Sequence, residues 1–167
     1  MRARDGKDDG RPGDGGRAIG WGFVGIQGAL ITALLYDASR APRTHGAVRG
    51  LGFLLTVAGV AVMGLASLAL GKALRAHPAP PSGAVLRTDG AYRLVRHPIY
   101  AGLILSAAGL ALVAQTTRTV ATVCALWTLL SVKARYEEGL LCERFPEYTE
   151  YRRRTPRFVP RNLWGGD

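Results

Sequence analysis

Two short polar blocks hold most of the residue types in this chain that can do chemistry. The first is Gly90-Ala91-Tyr92-Arg93-Leu94-Val95-Arg96-His97-Pro98-Ile99-Tyr100-Ala101-Gly102; the second is Arg135-Tyr136-Glu137-Glu138, followed by a tail rich in Arg and aromatic residues. Each adjoins an apolar stretch, where ionisable groups are costly unless paired, hydrated or functional. Pro98 biases His97 toward extended backbone and suits the first helical position, where no amide donor is needed. His97 is thereby displayed beside the free amides of a helix start, where a carboxylate or other polar ligand can bind. Tyr100 adds a polar aromatic edge, Gly102 a point of close approach, and Glu137 and Glu138 two carboxylates. Taken singly, Arg93, Arg96 and His97 read as interfacial charges, and Gly102 as one packing glycine among 22. Taken together, the blocks form a candidate site for one polar ligand.

The elements that carry these blocks are set by where charge is missing. The 167 residues include 22 Lys or Arg, 12 Asp or Glu and 48% hydrophobic residues, for a net charge of +10. Stretches 18–36, 50–71, 98–117 and 119–132, of 19, 22, 20 and 14 residues, contain no Asp, Glu, Lys or Arg. Such runs predict an all-α integral membrane helical bundle with four membrane-embedded segments and a C-terminal cytoplasmic helical tail. Soluble globular, collagenous, disulfide-scaffold and disordered classes do not fit the pattern. Trp21 and Tyr36 sit where interfacial aromatics belong, and the first run exceeds the roughly 7–15 residues of a signal peptide, so it reads as an anchor. Gly52, Gly59 and Gly64 allow close helix contact in the second run. The third and fourth are separated by Arg118 alone, so residues 116–119 are expected to turn a helical hairpin with Arg118 at an interface. The fourth helix then continues through Lys133 into Glu137 and Glu138. Residues 1–17 read as a flexible tail and 18–167 as one membrane domain, with its signature region at 90–160. Pro78, Pro80 and Pro81 mark a rigid connection, and Cys124 and Cys142 support neither a disulfide framework nor a thiolate metal cluster.

With four crossings, residues 1–17, 72–97 and the C-terminal tail share a side and carry 5, 5 and 8 Lys or Arg, against Arg40, Arg43, Arg49 and Arg118 opposite. The positive-inside bias puts both termini in the cytoplasm. Basic residues that flank apolar helices suit anionic headgroups, and no nucleic-acid partner is expected.

The order of residues is also specific. Gly90, Tyr92, Arg93, Arg96, His97, Pro98, Tyr100 and Gly102 fit Gly-x-Tyr-Arg-x-x-Arg-His-Pro-x-Tyr-x-Gly, and Glu137-Glu138, Leu141, Phe145, Tyr148, Tyr151, Arg154, Pro156, Arg157 and Pro160 follow in order. From Gly90 to Pro160 the chain resembles the isoprenylcysteine carboxyl methyltransferase family and its phospholipid methyltransferase relatives. That resemblance implies a membrane methyltransferase that uses S-adenosylmethionine and releases S-adenosylhomocysteine. It implies a cofactor pocket formed by Tyr92, Arg93, His97, Tyr100, Gly102, Glu137 and Glu138. It gives catalytic roles to Glu138 and Arg154, the latter holding an acceptor carboxylate, and substrate-binding roles to Tyr148, Tyr151 and Arg154. No metal is expected, and no dinucleotide-type Gly-x-Gly-x-x-Gly unit occurs.

The reaction would be direct displacement by an acceptor oxygen, nitrogen or sulfur. A carboxylate acceptor needs no general base, whereas an amine acceptor would use Glu137, Glu138, His97 or Tyr148. Pro146 stands where the family commonly has Gly. Two apolar segments before the signature leave few surfaces to enclose a long prenyl chain, so a lipophilic or small acceptor is expected rather than a prenylated protein. Related folds occur in membrane sterol reductases, which makes an NADPH-dependent reductase the rival enzyme and a lipid-binding membrane protein the non-enzymatic rival. Membrane lipids are the expected surroundings, the cell inner membrane the expected location, and a homodimer would enlarge so small a bundle.

Overall fold

The computed structural model describes residues 14–41, 46–71 and 86–160. Their elements are α1 (Asp14–Arg40), α2 (Ala47–Leu70), α3 (Ala91–Leu94), α4 (Pro98–Ala114), α5 (Thr117–Arg144) and α6 (Tyr148–Arg154). Among the described residues there is no strand, in keeping with the all-α expectation. Helix α1 begins at Asp14, inside the stretch read as a tail, while residues 1–13 and the proline connection lie outside the described residues.

Among the described residues two helices, not four, are long and apolar enough to cross a bilayer: Ala18–Arg40 and Ala47–Leu70. This corrects the expectation of four membrane-embedded segments. Helix α4 stops after 17 residues, about 26 Å at 1.5 Å per residue and short of a hydrocarbon core of roughly 30 Å. Gln115 ends it in the left-handed region with φ 53°, its amide bonded to Ala111 O at 2.8 Å. Helix α5 is 28 residues long, but Arg118 near one end and Lys133, Arg135, Glu137 and Glu138 toward the other leave an uncharged stretch of only about 21 Å. Counting uncharged residues misses both where a helix turns and which charges the next helix must carry.

The two long helices are also the most exposed. Trp21, Phe53, Leu54 and Leu68 are 62%, 68%, 63% and 79% exposed. Continuous apolar surface of this kind suits lipid rather than water.

Helix α2 packs on α4 through glycine at facing positions. A Cβ added at Gly52 would lie 2.7 Å from Gly109 O, and one at Gly102 would lie 2.6 Å from Gly59 O. Only residues without a side chain allow the backbones so close. Between these contacts the Ser106 hydroxyl donates to Thr56 O at 3.2 Å. Helix α1 closes the other side with Leu34, which joins Leu103, Ala107, Leu126 and Leu130 in the buried core. The α4–α5 hairpin forms, but its turn is Gln115–Thr116 rather than residues 116–119, with 117–119 already in α5 and Thr116 capping that helix by accepting from the Thr119 amide at 3.2 Å.

The C-terminal tail folds back onto the entrance to α4. The amides of Arg96 and His97 donate to Pro156 O at 2.8 Å and Arg157 O at 3.1 Å, and the Tyr151 hydroxyl donates to Tyr92 O at 2.6 Å. This clasp brings the second polar block and the tail to the first.

Candidate active site

Pro98 occupies the first turn of α4, and His97 is its N-cap, with its carbonyl accepting from the Ala101 amide at 2.9 Å. His97 and Tyr100, three residues apart, therefore share a helix face and stack with ring centroids 5.4 Å apart and planes 1° from parallel. Phe158 of the tail meets both rings edge-on, at 6.0 and 6.5 Å, and Trp127 of α5 meets Phe158 at 5.6 Å. These aromatic contacts form an apolar wall beside the polar groups.

The adjacent carboxylates at the far end of α5 do different things. Glu138, 2% exposed, accepts from Arg96 Nε and Nη2 at 3.1 and 2.9 Å and from Arg157 Nε and Nη2 at 3.0 and 2.7 Å. His97 Nε2 lies 3.2 Å from the same carboxylate. Arg96 Nη1 also donates to the carbonyls of Arg152 and Thr155. Glu138 is thus the hub that joins α5, the signature segment and the tail. Burial alone would push its carboxyl up, but the hydrogen bonds from His97, Arg157 and Arg96 outweigh burial and hold it well below the usual carboxylate range. The same bond raises the Arg157 guanidinium.

Glu137 has less compensation. It accepts from the Tyr100 hydroxyl at 2.6 Å, and His97 Nδ1 stands 3.7 Å away. Burial raises its carboxyl above the usual range, with His97, Tyr100 and Lys133 only partly opposing. One turn before it on α5, buried Lys133 donates to Gln27 Oε1 of α1 at 3.2 Å and lies 5.3 Å above the Tyr100 ring.

Of the residues expected from sequence, His97, Tyr100, Glu137 and Glu138 come together. Tyr92 is buried and supports the tail through its carbonyl. Arg93 is exposed on α3, and Gly102 faces Gly59 and Met63 of α2, away from the cluster. Tyr148 is buried against Tyr151, with ring centroids 5.7 Å apart. Its hydroxyl is shut off from solvent and has no hydrogen-bond partner. Arg154 is exposed, and its Nε bonds Glu150 at 2.6 Å; it does not reach the cluster.

Arg96, Arg157 and Lys133 were not among the expected site residues. The first two lay within the recognised blocks, and Lys133, a lone charge ending an apolar run, was a signal in itself. A cationic, hydroxyl-bearing ligand fits these surroundings: Glu137 is a buried carboxylate short of positive partners, and the Tyr148 hydroxyl is a buried donor with nothing to bond.

Comparison with known proteins gives an overlapping segment, which reaches back into α2 and stops before the tail. A profile of the isoprenylcysteine carboxyl methyltransferase family matches residues 51–143. The chain is 37% identical over 84 residues to the cobalt-zinc-cadmium resistance protein CzcN of Cupriavidus metallidurans, covering 49% of this chain and 39% of that one. It is 40% identical over 78 residues to the nickel-cobalt-cadmium resistance protein NccN of Alcaligenes xylosoxydans xylosoxydans, covering 46% and 36%. It is 38% identical over 77 residues to a probable protein-S-isoprenylcysteine O-methyltransferase of Oryza sativa subsp. indica, covering 45% and 40%. The matches therefore span about two fifths of the length of these curated relatives.

Proposed function

The chain belongs to the isoprenylcysteine carboxyl methyltransferase family, and from that premise we propose that it transfers a methyl group from S-adenosylmethionine to a lipophilic or small acceptor at a membrane face. The observation that carries this reading is the meeting of His97 and Tyr100 with Glu137 and Glu138, which joins two ordered blocks of sequence in one buried polar cluster. When bound, S-adenosylmethionine supplies a methyl group on a cationic sulfur, open to displacement by an acceptor oxygen, nitrogen or sulfur. Glu137, Tyr100 and His97 are the groups that would hold its cationic and hydroxyl-bearing parts, with the Tyr148 hydroxyl as a further donor. Tyr92 serves the pocket both through its buried phenol, which lies near enough to Glu137 and Tyr100 to feel their charge, and by holding Tyr151, while Gly102 lets α4 lie against α2.

Glu138 works by holding Arg96, Arg157 and the tail in place. Phe158, buried against His97 and Tyr100, shields one side of the cluster from water, so alignment and a dry surrounding supply most of the acceleration. Arg154, paired with Glu150 outside the cluster, and Arg93, exposed on α3, face the membrane surface, where lipid phosphate lies.

The site belongs on the cytoplasmic face of the inner membrane. Five Lys or Arg precede the apolar stretch that begins at Ala18 and five fall within residues 72–97, against Arg40, Arg43 and Arg49 at the opposite ends of the two apolar helices. Both ends of the chain then lie with the site.

Titration of the detergent-solubilised protein with S-adenosylmethionine, S-adenosylhomocysteine and NADPH tests the assignment. Saturable binding of the first two, weakened at least about tenfold in Glu137→Gln, is expected, since a charge-assisted contact is worth about that much. Saturable NADPH binding, or no binding by well-folded protein, would overturn it.

A further inference from the structure

A second polar site lies at the other end of the helices. A cavity of about 300 Å³ is lined by Asp37, Arg40, Ala41, Ala114, Thr116 and Arg118. It brings together the C-terminal ends of α1 and α4 with the start of α5, so the length of α4, about 26 Å, separates it from the His97 cluster. Arg40 is the last residue of the first apolar helix, which places the cavity at a membrane boundary, on the side away from methyl transfer.

Its charges are not a closed pair. The Asp37 side chain is only 10% exposed, and Arg118 Nε stands 3.3 Å from Asp37 Oδ2. That separation gives charge attraction, yet Oδ2 is shut off from solvent and accepts no hydrogen bond. A buried carboxylate oxygen in this state is short of a donor. The Arg118 side chain is 67% exposed, and the Arg40 guanidinium lies 5.2 Å from the Tyr36 ring centroid. Both cations face the boundary where lipid phosphates lie.

We propose that this cavity binds the headgroup of a phospholipid bearing a primary ammonium, with its phosphate on Arg40 and Arg118 and its ammonium donating to the Asp37 carboxylate that lines the cavity. The ligand chemistry follows from the pair of demands: two exposed guanidinium groups call for an anion, and a carboxylate that Arg118 meets by charge but not by a hydrogen bond calls for an N–H donor a few ångströms away. A quaternary ammonium headgroup offers positive charge but no N–H, and a glycerol headgroup offers no positive charge. Phosphate esters of ethanolamine supply both groups on one short linker. The source is a membrane lipid rather than a free phosphoester, because the cavity opens at the end of a helix whose apolar side chains are exposed. The inference rests on α1 lying in a bilayer but not on methyl transfer.

The test uses the full chain in detergent, stripped of lipid, then titrated with phosphatidylethanolamine, phosphatidylcholine and phosphatidylglycerol of identical acyl chains. Native mass spectrometry reads the bound lipid. Phosphatidylethanolamine is expected to bind about tenfold more tightly than phosphatidylcholine, the ratio one charge-assisted hydrogen bond supports. Asp37→Asn should bring that ratio to within about twofold, and Arg118→Gln should weaken all three lipids. Binding of S-adenosylmethionine to the two variants serves as a folding control that this distant cavity should leave unchanged. Equal binding of phosphatidylethanolamine and phosphatidylcholine would overturn the proposal, as would an unchanged preference in Asp37→Asn. Glycerophosphoethanolamine competing at the lipid's own concentration would overturn the lipid as the source.

Discussion

Glu137 and Glu138 are chemically identical neighbours, and the fold gives them opposite electrostatic fates. Glu138 is held ionised by two guanidinium groups and His97, so its folded-state carboxyl lies below the unfolded value. The sign follows: its stabilising contribution is complete above the ordinary carboxylate range and is lost as pH falls through its folded value. Glu138→Gln leaves Arg96 and Arg157 buried or half-buried with half their acceptor gone, and should cost about 3–5 kcal/mol, the range for breaking a buried ion pair. A melting series in detergent checks both points: the variant should melt lower than the parent at neutral pH, with the gap narrowing in strong acid. Glu137 shifts the other way, since burial raises its carboxyl. A cationic ligand favours the ionised form, so affinity for S-adenosylmethionine should rise as pH climbs through that raised value and then level off. Calorimetric titration across pH should show this rise in the parent and a flat, weak profile in Glu137→Gln. The sequence made both carboxylates conspicuous, and the family resemblance set Glu138 apart only by a catalytic role, not by its charge environment. The difference depends on Arg157, which returns from the tail, and on Tyr100, which α4 presents. No local pattern records those partners.

At the scale of elements, the glycines sort themselves by what they face. Gly52 and Gly59 of α2 meet Gly109 and Gly102 of α4 backbone to backbone, while a Cβ at Gly64 would meet nothing within 4 Å. Gly59→Ala would push a methyl group against Gly102 O, which cannot move without shifting α4, and α4 carries His97 and Tyr100. It should destabilise by about 1–3 kcal/mol, as overpacking does, and reduce cofactor affinity. Gly64→Ala should be neutral or slightly stabilising, because alanine is the better helix former. Melting temperature and cofactor titration on the two variants distinguish these outcomes. Gly52, Gly59 and Gly64 look alike in sequence, since their meaning comes from the helix opposite. The helices themselves were legible: Pro98 as a starter, the α4–α5 hairpin and the continuation of α5 past Lys133 all follow from residue types. The number of membrane crossings was not, because apolar length says nothing about a helix stopping early at Gln115.

For the whole molecule, the tail clasp constrains how the chain sits in a membrane more firmly than hydropathy does. If α1 and α2, the two candidate spans, cross and return, residues before α1 and after α2 share a side. The route of α4 and α5 need not be known to place the C-terminal tail, because backbone bonds tie Arg96 to Pro156 and His97 to Arg157. Whatever path lies between, residues 96 and 157 emerge on one face. The proposal above, from the basic residues flanking the two spans, puts that face in the cytoplasm. Epitope tags placed at the two ends should therefore both resist protease added to intact cells with the outer envelope removed, and both be cleaved in inverted inner-membrane vesicles. A split result, with one tag digested from each side, would mean that α4 and α5 carry the tail to the opposite face. The Arg96–Glu138–Arg157 hub could not then form in the membrane. Cleavage of both tags from outside would keep the hub and reverse the orientation, separating the test of assembly from the test of sidedness.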